Sequence, residues 1–548
     1  MPERVRHDGY ATGMGRNESG MKEEAGKRMA YTPQPAEETH VLVVIELDGL
    51  TLRYADANLS MSDGNYYEGR AEVQQLHRAF GSVTEPKQNE SMLTVVLKDP
   101  DRTVRALAGS YVWGMRRVKV YAGAGRDISN YTLDFDGLVK FPGGITYDDR
   151  AVTVRLRDRR NSEWVMLPVN KFWSTTYPNL ADSASGTPIP IVYGDWSDTA
   201  IPAICVDTTV NEFKIADHAI YDITQVYRNG AAVSHTNEDL TNATFRIANY
   251  DPLTDVVTVK MKGRVDDGGN LITHPVDVLT DIQEKYAGIA AADIDTASYA
   301  ALKAEMGAMK VRSYLSEERS SNTIINELAN ECTFDVFVSD GLYTVRGREP
   351  SQQYDTVFDE TNIARGSFAV EYDPEGLYAN RIKGSYAYNP STGGYAGHSQ
   401  EDNVPAQTQL GQVVSRTMTF RWLYEETDAE TAMQRELLLY SQEVRTVRFT
   451  GLGEGILVGI GDRAALTYGD FDLRPLHVRA VDKRYGRRSC DVTADDTFSY
   501  ARPGYITADD APNYADATDD QRAAQGFFTD DDGYAEPGAE ESACSHVW

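Results

Sequence analysis

AVTVRLRDRRNSEW, residues 151–164, decides the fold class. Val152, Val154 and Leu156 alternate with Thr153, Arg155 and Arg157, and Arg159 and Arg160 follow. A period of two puts the apolar side chains on one face of a strand and the arginines on the other. The chain carries a formal net charge of −29, so a cationic strand face calls for a partner. Three fit: solvent or acids of the same chain, acids of a neighbouring copy, or transiting nucleic acid.

The same period extends outward. HVLVVIELDGLTLRYAD (40–56) places two apolar runs around Asp48-Gly49, a strong hairpin signal. SMLTVVLKD (91–99) puts Leu93, Val95 and Leu97 on one face, and RRVKVYAG and YTLDFDGLVKF follow, with turn residues between. Strands at this spacing predict a β-barrel or sandwich over residues 39–175. A β-rich connecting domain is expected over 176–265, where Pro188 and Pro190 mark an extended edge or crossover.

Residues 266–350 change period. HPVDVLTDIQEKYAG reads as an amphipathic helix on Val276, Leu279, Ile282 and Tyr286, with Gly288 as its stop. TASYAALKAEMGAMK reads as a second helix. A third has Ser321 near its cap and leads into a hairpin turning at Asp340-Gly341. Residues 351–502 are expected to be a second barrel with one helix, capped by a Thr427/Glu430 box. Val152, Val154 and Leu156 are assigned to the first barrel, and Ile456, Val458 and Leu466 to the second. Residues 1–38 read as a flexible arm, and 503–548 as an acidic extension, disordered or docking.

Composition narrows the function. An acidic chain repels phosphates on average, which argues against a large nucleic-acid surface. Cys205, Cys332, Cys490 and Cys544 lie far apart with no CxxC pair, so a metal knot or redox motif is not expected. No apolar run is long enough to span a bilayer, and no secretory signal is visible. Synthesis in a cytoplasm follows as the expectation. The 32 tyrosines suit strands and subunit interfaces.

No GxSxG, HExxH, Walker A or zinc-ligand spacing is found. The nine histidines are scattered. GLGEGILVGIGD (451–462) does not open a helix after a strand, so tight turns explain its glycines, Gly461-Asp462 included. Adjacent acids such as Asp134/Asp136, Asp148/Asp149, Glu425/Glu426 and Asp470/Asp472 are expected in solvated turns, since a glycosidase needs two carboxyls facing across a cleft. The run Asp530–Asp532 lacks the spacing of a calcium loop. No catalytic, metal or cofactor residue is assigned.

Four segments carry a family resemblance. SMLTVVLKDPDRTVRALAGSYVWGMRRVKVYAG followed by DGLVKFPGGITYDDRAVTVRLRD is similar to the first barrel of tailed-phage baseplate or tail-tip hub proteins. GTPIPIVYGDWSD resembles the linker that follows in them. HPVDVLTDIQEKYAGI and SNTIINELANECTFDVFVSDGLYTVRG resemble their helix–hairpin module. LYANRIKGSYAYNP, the capped helix and GILVGIGDRAAL look like their second barrel. The resemblance spans roughly residues 40–495 in family order.

The resemblance implies a mainly β, multidomain α+β chain with two β-barrel hub domains and a small helix–hairpin module. It implies a non-enzymatic virion protein at the tail tip, homotrimeric, closing the tail tube for genome delivery and host attachment. Implied partners are a tail-tube or distal-tail protein above, fibre or spike proteins below and the tape-measure protein in the channel, with no specific nucleic-acid binding and no membrane span. Arg155, Arg157 and Arg159 are the expected interface residues, and no cofactor is expected. A carboxylate-dependent cell-wall or glycan hydrolase and a surface adhesion module are the alternatives.

Overall fold

A computed structural model describes residues 39–496 except 81–90, 160–164, 182–183, 340, 349–354, 373–375, 443, 470 and 486–488, together with two short strands, Gly526–Thr529 and Cys544–Val547. The expected arm, most of the acidic extension, Asp340, Asp470 and the Asp530–Asp532 run lie outside the described residues. Within that extension the two short strands pair antiparallel, with Gly526 opposite Val547.

The protein is mainly β and multidomain, with a few helices. The strand Ala151–Asp158 forms where the alternation predicts it, with Val152, Val154 and Leu156 buried. Its partner Met92–Lys98 sets the register, Val152 against Leu97 and Leu156 against Leu93, so both apolar faces enter one core. Thr39–Leu47 and Leu50–Ala55 form the predicted hairpin, with Gly49 at φ 71.

The two units expected as barrels are two lobes of one 15-stranded sheet. The first lobe runs from Leu50–Ala55 through Thr39–Leu47, Arg117–Ala124, Tyr131–Val139, Ala151–Asp158 and Met92–Lys98 to Leu76–Ala79. Leu76–Ala79 then pairs with Phe471–Arg484, Ala79 opposite Ala480 and Leu76 opposite Lys483. From there Ser489–Asp496, Arg445–Leu452 and Ala369–Tyr372 continue the second lobe, and Arg463–Tyr468, with Thr356–Phe358 beside it, pairs on the other side of Phe471–Arg484. Side chains cross the seam both ways. Phe80 packs in the second lobe's core with Val458 and Leu466. Ile456, assigned from sequence to the second unit, packs against the first lobe's core.

Residues 191–264 hold two four-stranded sheets around Trp196, Phe213, Phe245 and Val259. The helices Pro275–Asp281, Thr296–Met306 and Ser321–Glu331 form as predicted, the first continuing as a π turn to Tyr286 before Gly288 at φ 68. The hairpin of Phe334–Ser339 and Leu342–Gly347 follows.

The described residues of 351–502, a range expected as one unit, divide between two cores. The sheet of Arg381–Asn389, Gly394–Asp402 and Ser415–Thr419 and the helix Glu426–Tyr440 share a core with the helix–hairpin module. Ile382, Trp422 and Met433 meet Leu328 and Val336 there. Polar bonds fix the join: Glu331 accepts from the Arg421 and Trp422 amides at 2.9 and 2.8 Å. Burial pushes the Glu331 carboxyl up to about 8, with those amides acting in the opposite sense. The predicted Thr427/Glu430 capping box does not form. Glu425 is the N-cap with no side-chain cap bond, and Glu430 accepts from the Ser399 hydroxyl instead.

Gly461 turns the chain as expected, and its identity has a second cause. At φ 77, a Cβ there would lie 2.6 Å from the Phe337 ring, at the contact between the module's hairpin and the second lobe. Arg346 Nη1 donates to the Gly461 carbonyl at 2.7 Å beside it.

Candidate assembly interface

The outer face of Ala151–Asp158 carries Arg155 and Arg157. Arg157 stands opposite Met92 and Arg155 opposite Thr94, so these four side chains share one face. The hairpin loop at Lys140–Gly144 lies beside them: the Arg155 amide donates to Gly144 O at 2.7 Å, and the Lys140 amide to Arg155 O at 2.9 Å. Arg155 is exposed and Arg157 half-buried. Arg157 Nη2 lies 2.9 Å from the Met115 sulfur.

Met115 comes from the loop after the helix Thr103–Ser110. Its amide donates to Val139 O at 2.9 Å, and it holds φ at 64. Phe141 reaches across from the neighbouring loop and lies on Gly114, where a Cβ would come within 2.7 Å of the ring. Phe141 is 66% exposed and Val112 70% exposed. Further along the same hairpin the exposed Tyr147 ring lies 5.3 Å from the Arg105 guanidinium. Met92, Met115 and Phe141 are thus exposed apolar groups gathered around Arg155 and Arg157, and Val112 is exposed in the same loop as Met115. Met, aromatics and Arg are the residues that protein interfaces enrich. Exposed apolar residues scattered singly need no explanation, but a contiguous group does.

Sequence reasoning identified the arginines and missed the apolar residues. The signal available was YVWGM (111–115), an apolar run in a loop from which Trp113 enters the first lobe's core while Tyr111, Val112 and Met115 stay exposed.

Arg159 lies apart from the other two. Its guanidinium pairs with both oxygens of Asp293, Nη1 at 3.0 Å from Oδ1, and approaches Asp136 at 3.6 Å. That bond holds the Asp293 carboxyl below the usual carboxylate range. Arg159 thus ties the first lobe to the turn Ala291–Asp293 of its own chain.

The pair Asp134/Asp136, expected in a solvated turn, is buried in the strand Tyr131–Val139. Asp134 accepts from Lys483 Nζ at 2.6 Å and Tyr485 Oη at 2.5 Å, both from the second lobe. Arg78 Nη2 donates to the Asp134 carbonyl at 2.5 Å. Burial pushes this carboxyl up, but Lys483 and Arg78 outweigh it and hold it below the usual range. Arg117 Nε donates to Asp136 at 2.8 Å. Both carboxylates are engaged in joining parts of the fold. Asp148 caps its own turn, accepting from the Arg150 and Ala151 amides at 2.7 and 2.9 Å.

Two histidines are structural. His218 Nε2 accepts from the Val192 amide at 2.9 Å, and burial pushes its pKa down to about 3. His477 lies 3.4 Å from Asp335, and burial lowers it to about 4. Cys205, Cys332 and Cys490 are buried free thiols.

No known protein family matches the sequence, and no curated protein does. Among solved structures, the neighbours are phage tail proteins and baseplate or VgrG-type structures. The chain is similar to a tail protein from Neisseria meningitidis MC58, at 9% identity and a TM-score of 0.39 over 83% of this chain and 96% of that one. It is also similar to the prophage MuSo2 43 kDa tail protein from Shewanella oneidensis, at 10% identity and a TM-score of 0.38 over 83% of this chain and 98% of that one. A prophage tail protein from Listeria monocytogenes EGD-e gives 12% identity and a TM-score of 0.37, over 84% and 95%.

Proposed function

We propose that this chain is a structural virion protein of a phage tail, and that it forms the hub at the tail tip. The observation that carries the reading is the fusion of two β lobes into one 15-stranded sheet, with a cationic and apolar patch left open on the first lobe. Two linked lobes per chain let three copies present six similar units, which matches a threefold hub to a sixfold tube. The patch around Arg155, Arg157, Met115 and Phe141 is the face that meets acidic surface of the next copy. Charge favours that partner: the chain is strongly acidic overall, and Arg pairs carboxylates in planar, two-point fashion.

Mechanical work suits such a part better than turnover. The assembly closes the tube, anchors fibre or spike proteins and shifts between packed arrangements when the receptor is engaged. The adjacent acids Asp134 and Asp136, which a hydrolase would need facing a cleft, are instead paired with Lys483, Tyr485 and Arg117.

Electron microscopy of purified particles with a labelled copy of this chain tests the reading. Density for the label at the tail end is the expected result. Label elsewhere on the particle, or none in it, overturns the assignment.

A further inference from the structure

A groove of about 1470 Å³ runs between the helices Val404–Leu410 and Glu426–Tyr440, on the side of the molecule built from residues 372–442. It exceeds the roughly 300–1,000 Å³ that holds a drug-sized molecule, so it suits an extended ligand. Its floor includes the buried Leu437 and the half-buried Leu438 and Val414. Its rim presents the exposed amides Gln409, Gln412 and Gln434. Tyr372, also exposed, stands at its edge.

The walls are fixed before any ligand arrives. Asn403 caps the shorter helix, accepting from the Ala406 amide at 3.1 Å, and donates to Ser441 Oγ at 2.8 Å. Gln407 Nε2 donates to the Asn380 carbonyl at 2.9 Å. Buried Asn380 in turn donates to Gln412 O at 2.9 Å and accepts from the Val414 amide at 2.7 Å. A preformed groove spares a ligand part of the ordering cost of binding.

The lining chemistry selects the ligand class. Among the described residues no lysine or arginine lines the groove, so nothing there recognises phosphate or sulfate. Asp402 is engaged by Arg381 at 2.6 Å and by Gln400 at 2.7 Å, and Glu401 accepts from Gln434 at 3.3 Å. Each amide carries a donor and an acceptor on one planar group, which matches adjacent sugar hydroxyls. The apolar floor and the Tyr372 ring match the C–H faces of sugar rings. Of the lining residues only Tyr372, Glu401 and Asp402 lie in strands, at the ends of Ala369–Tyr372 and Gly394–Asp402, so little sheet edge is offered for a peptide strand to join.

We infer that this groove binds a neutral oligosaccharide through the amides of Gln409, Gln412 and Gln434 above an apolar floor. The inference does not depend on the hub assignment.

The test titrates the full chain with neutral hexasaccharides of glucose, galactose and N-acetylglucosamine, and with a sulfated hexasaccharide, by saturation-transfer NMR. At least one neutral sugar should bind with a Kd of about 1 mM or tighter, and the sulfated sugar more weakly. Gln412→Leu with Gln434→Leu should weaken binding about tenfold or more while the thermal midpoint stays put. Absence of binding by every neutral sugar overturns the inference, as does binding that the double variant leaves intact. A peptide that occupies the groove and is not displaced by the sugars overturns it too. Sugar binding by a chain absent from the tail end would sink the hub assignment alone.

Discussion

Lys483 Nζ lies 2.6 Å from Asp134 Oδ1, both side chains are buried, and the two residues come from different lobes of the sheet. Removing one member leaves a charge in a place that water does not reach. Lys483→Met should therefore destabilise the fold by about 3–5 kcal/mol, while Asp134→Asn with Lys483→Met should recover a large part of the loss, because the amide still accepts from Tyr485. Urea unfolding of the two variants decides it. Equal losses in both would show that the pair is not what the seam depends on.

Arg159 and its neighbours in sequence should separate cleanly by variant. Arg159→Ala removes the link to Asp293 and should lower stability by about 1–3 kcal/mol without changing self-association. Differential scanning calorimetry and sedimentation of the same sample read both properties. An unchanged thermal midpoint with altered association would place Arg159 on the interface instead.

Phe141 is exposed over a glycine shelf, so its contribution should appear only on contact with a partner. Phe141→Ser should leave the thermal midpoint of the isolated chain within about 1 °C and weaken association by roughly 2 kcal/mol or more, the cost of losing a central anchor. Dilution series followed by light scattering measure that change. A variant that unfolds early would mean the ring is part of the first lobe's core.

His218 gives a pH dependence with a definite sign. Its folded-state pKa of about 3 lies below the ordinary value of 6.5. The neutral ring is the native form, accepting from the Val192 amide. Its contribution is fully present above about pH 6.5 and declines as pH falls toward 3. His218→Gln keeps an acceptor for that amide and loses the titration. The variant should show a shallower fall in stability between pH 6.5 and 4 than the parent, by urea midpoints. Parallel curves would contradict a buried neutral imidazole.

Local structure was legible in the sequence where a period or a turn residue dictates it. Val152, Val154 and Leu156 alternate, and Asp48-Gly49 closes a hairpin, so both elements follow from neighbours in the chain. Long-range pairing leaves no such trace. Asp134 reads as a solvated acid because its partner Lys483 lies 349 residues further on. Leu76–Ala79 is too short to announce that it bridges two lobes. Ile456 and Phe80 have the apolarity of core residues, but apolarity does not say which core. At the candidate interface the arginines stood out by their alternation. Met115 and Phe141 did not, because their exposure depends on how two loops approach each other.

The most direct test is the solution mass of the purified chain by sedimentation velocity, with and without Arg155→Glu and Arg157→Glu. Three copies held by the cationic face should sediment as a trimer of the 60.8 kDa chain that weakens as salt is raised, and the double variant should sediment as a monomer with the parent's thermal midpoint. A parent that stays monomeric at all concentrations, or a double variant that still forms the trimer, would contradict the account.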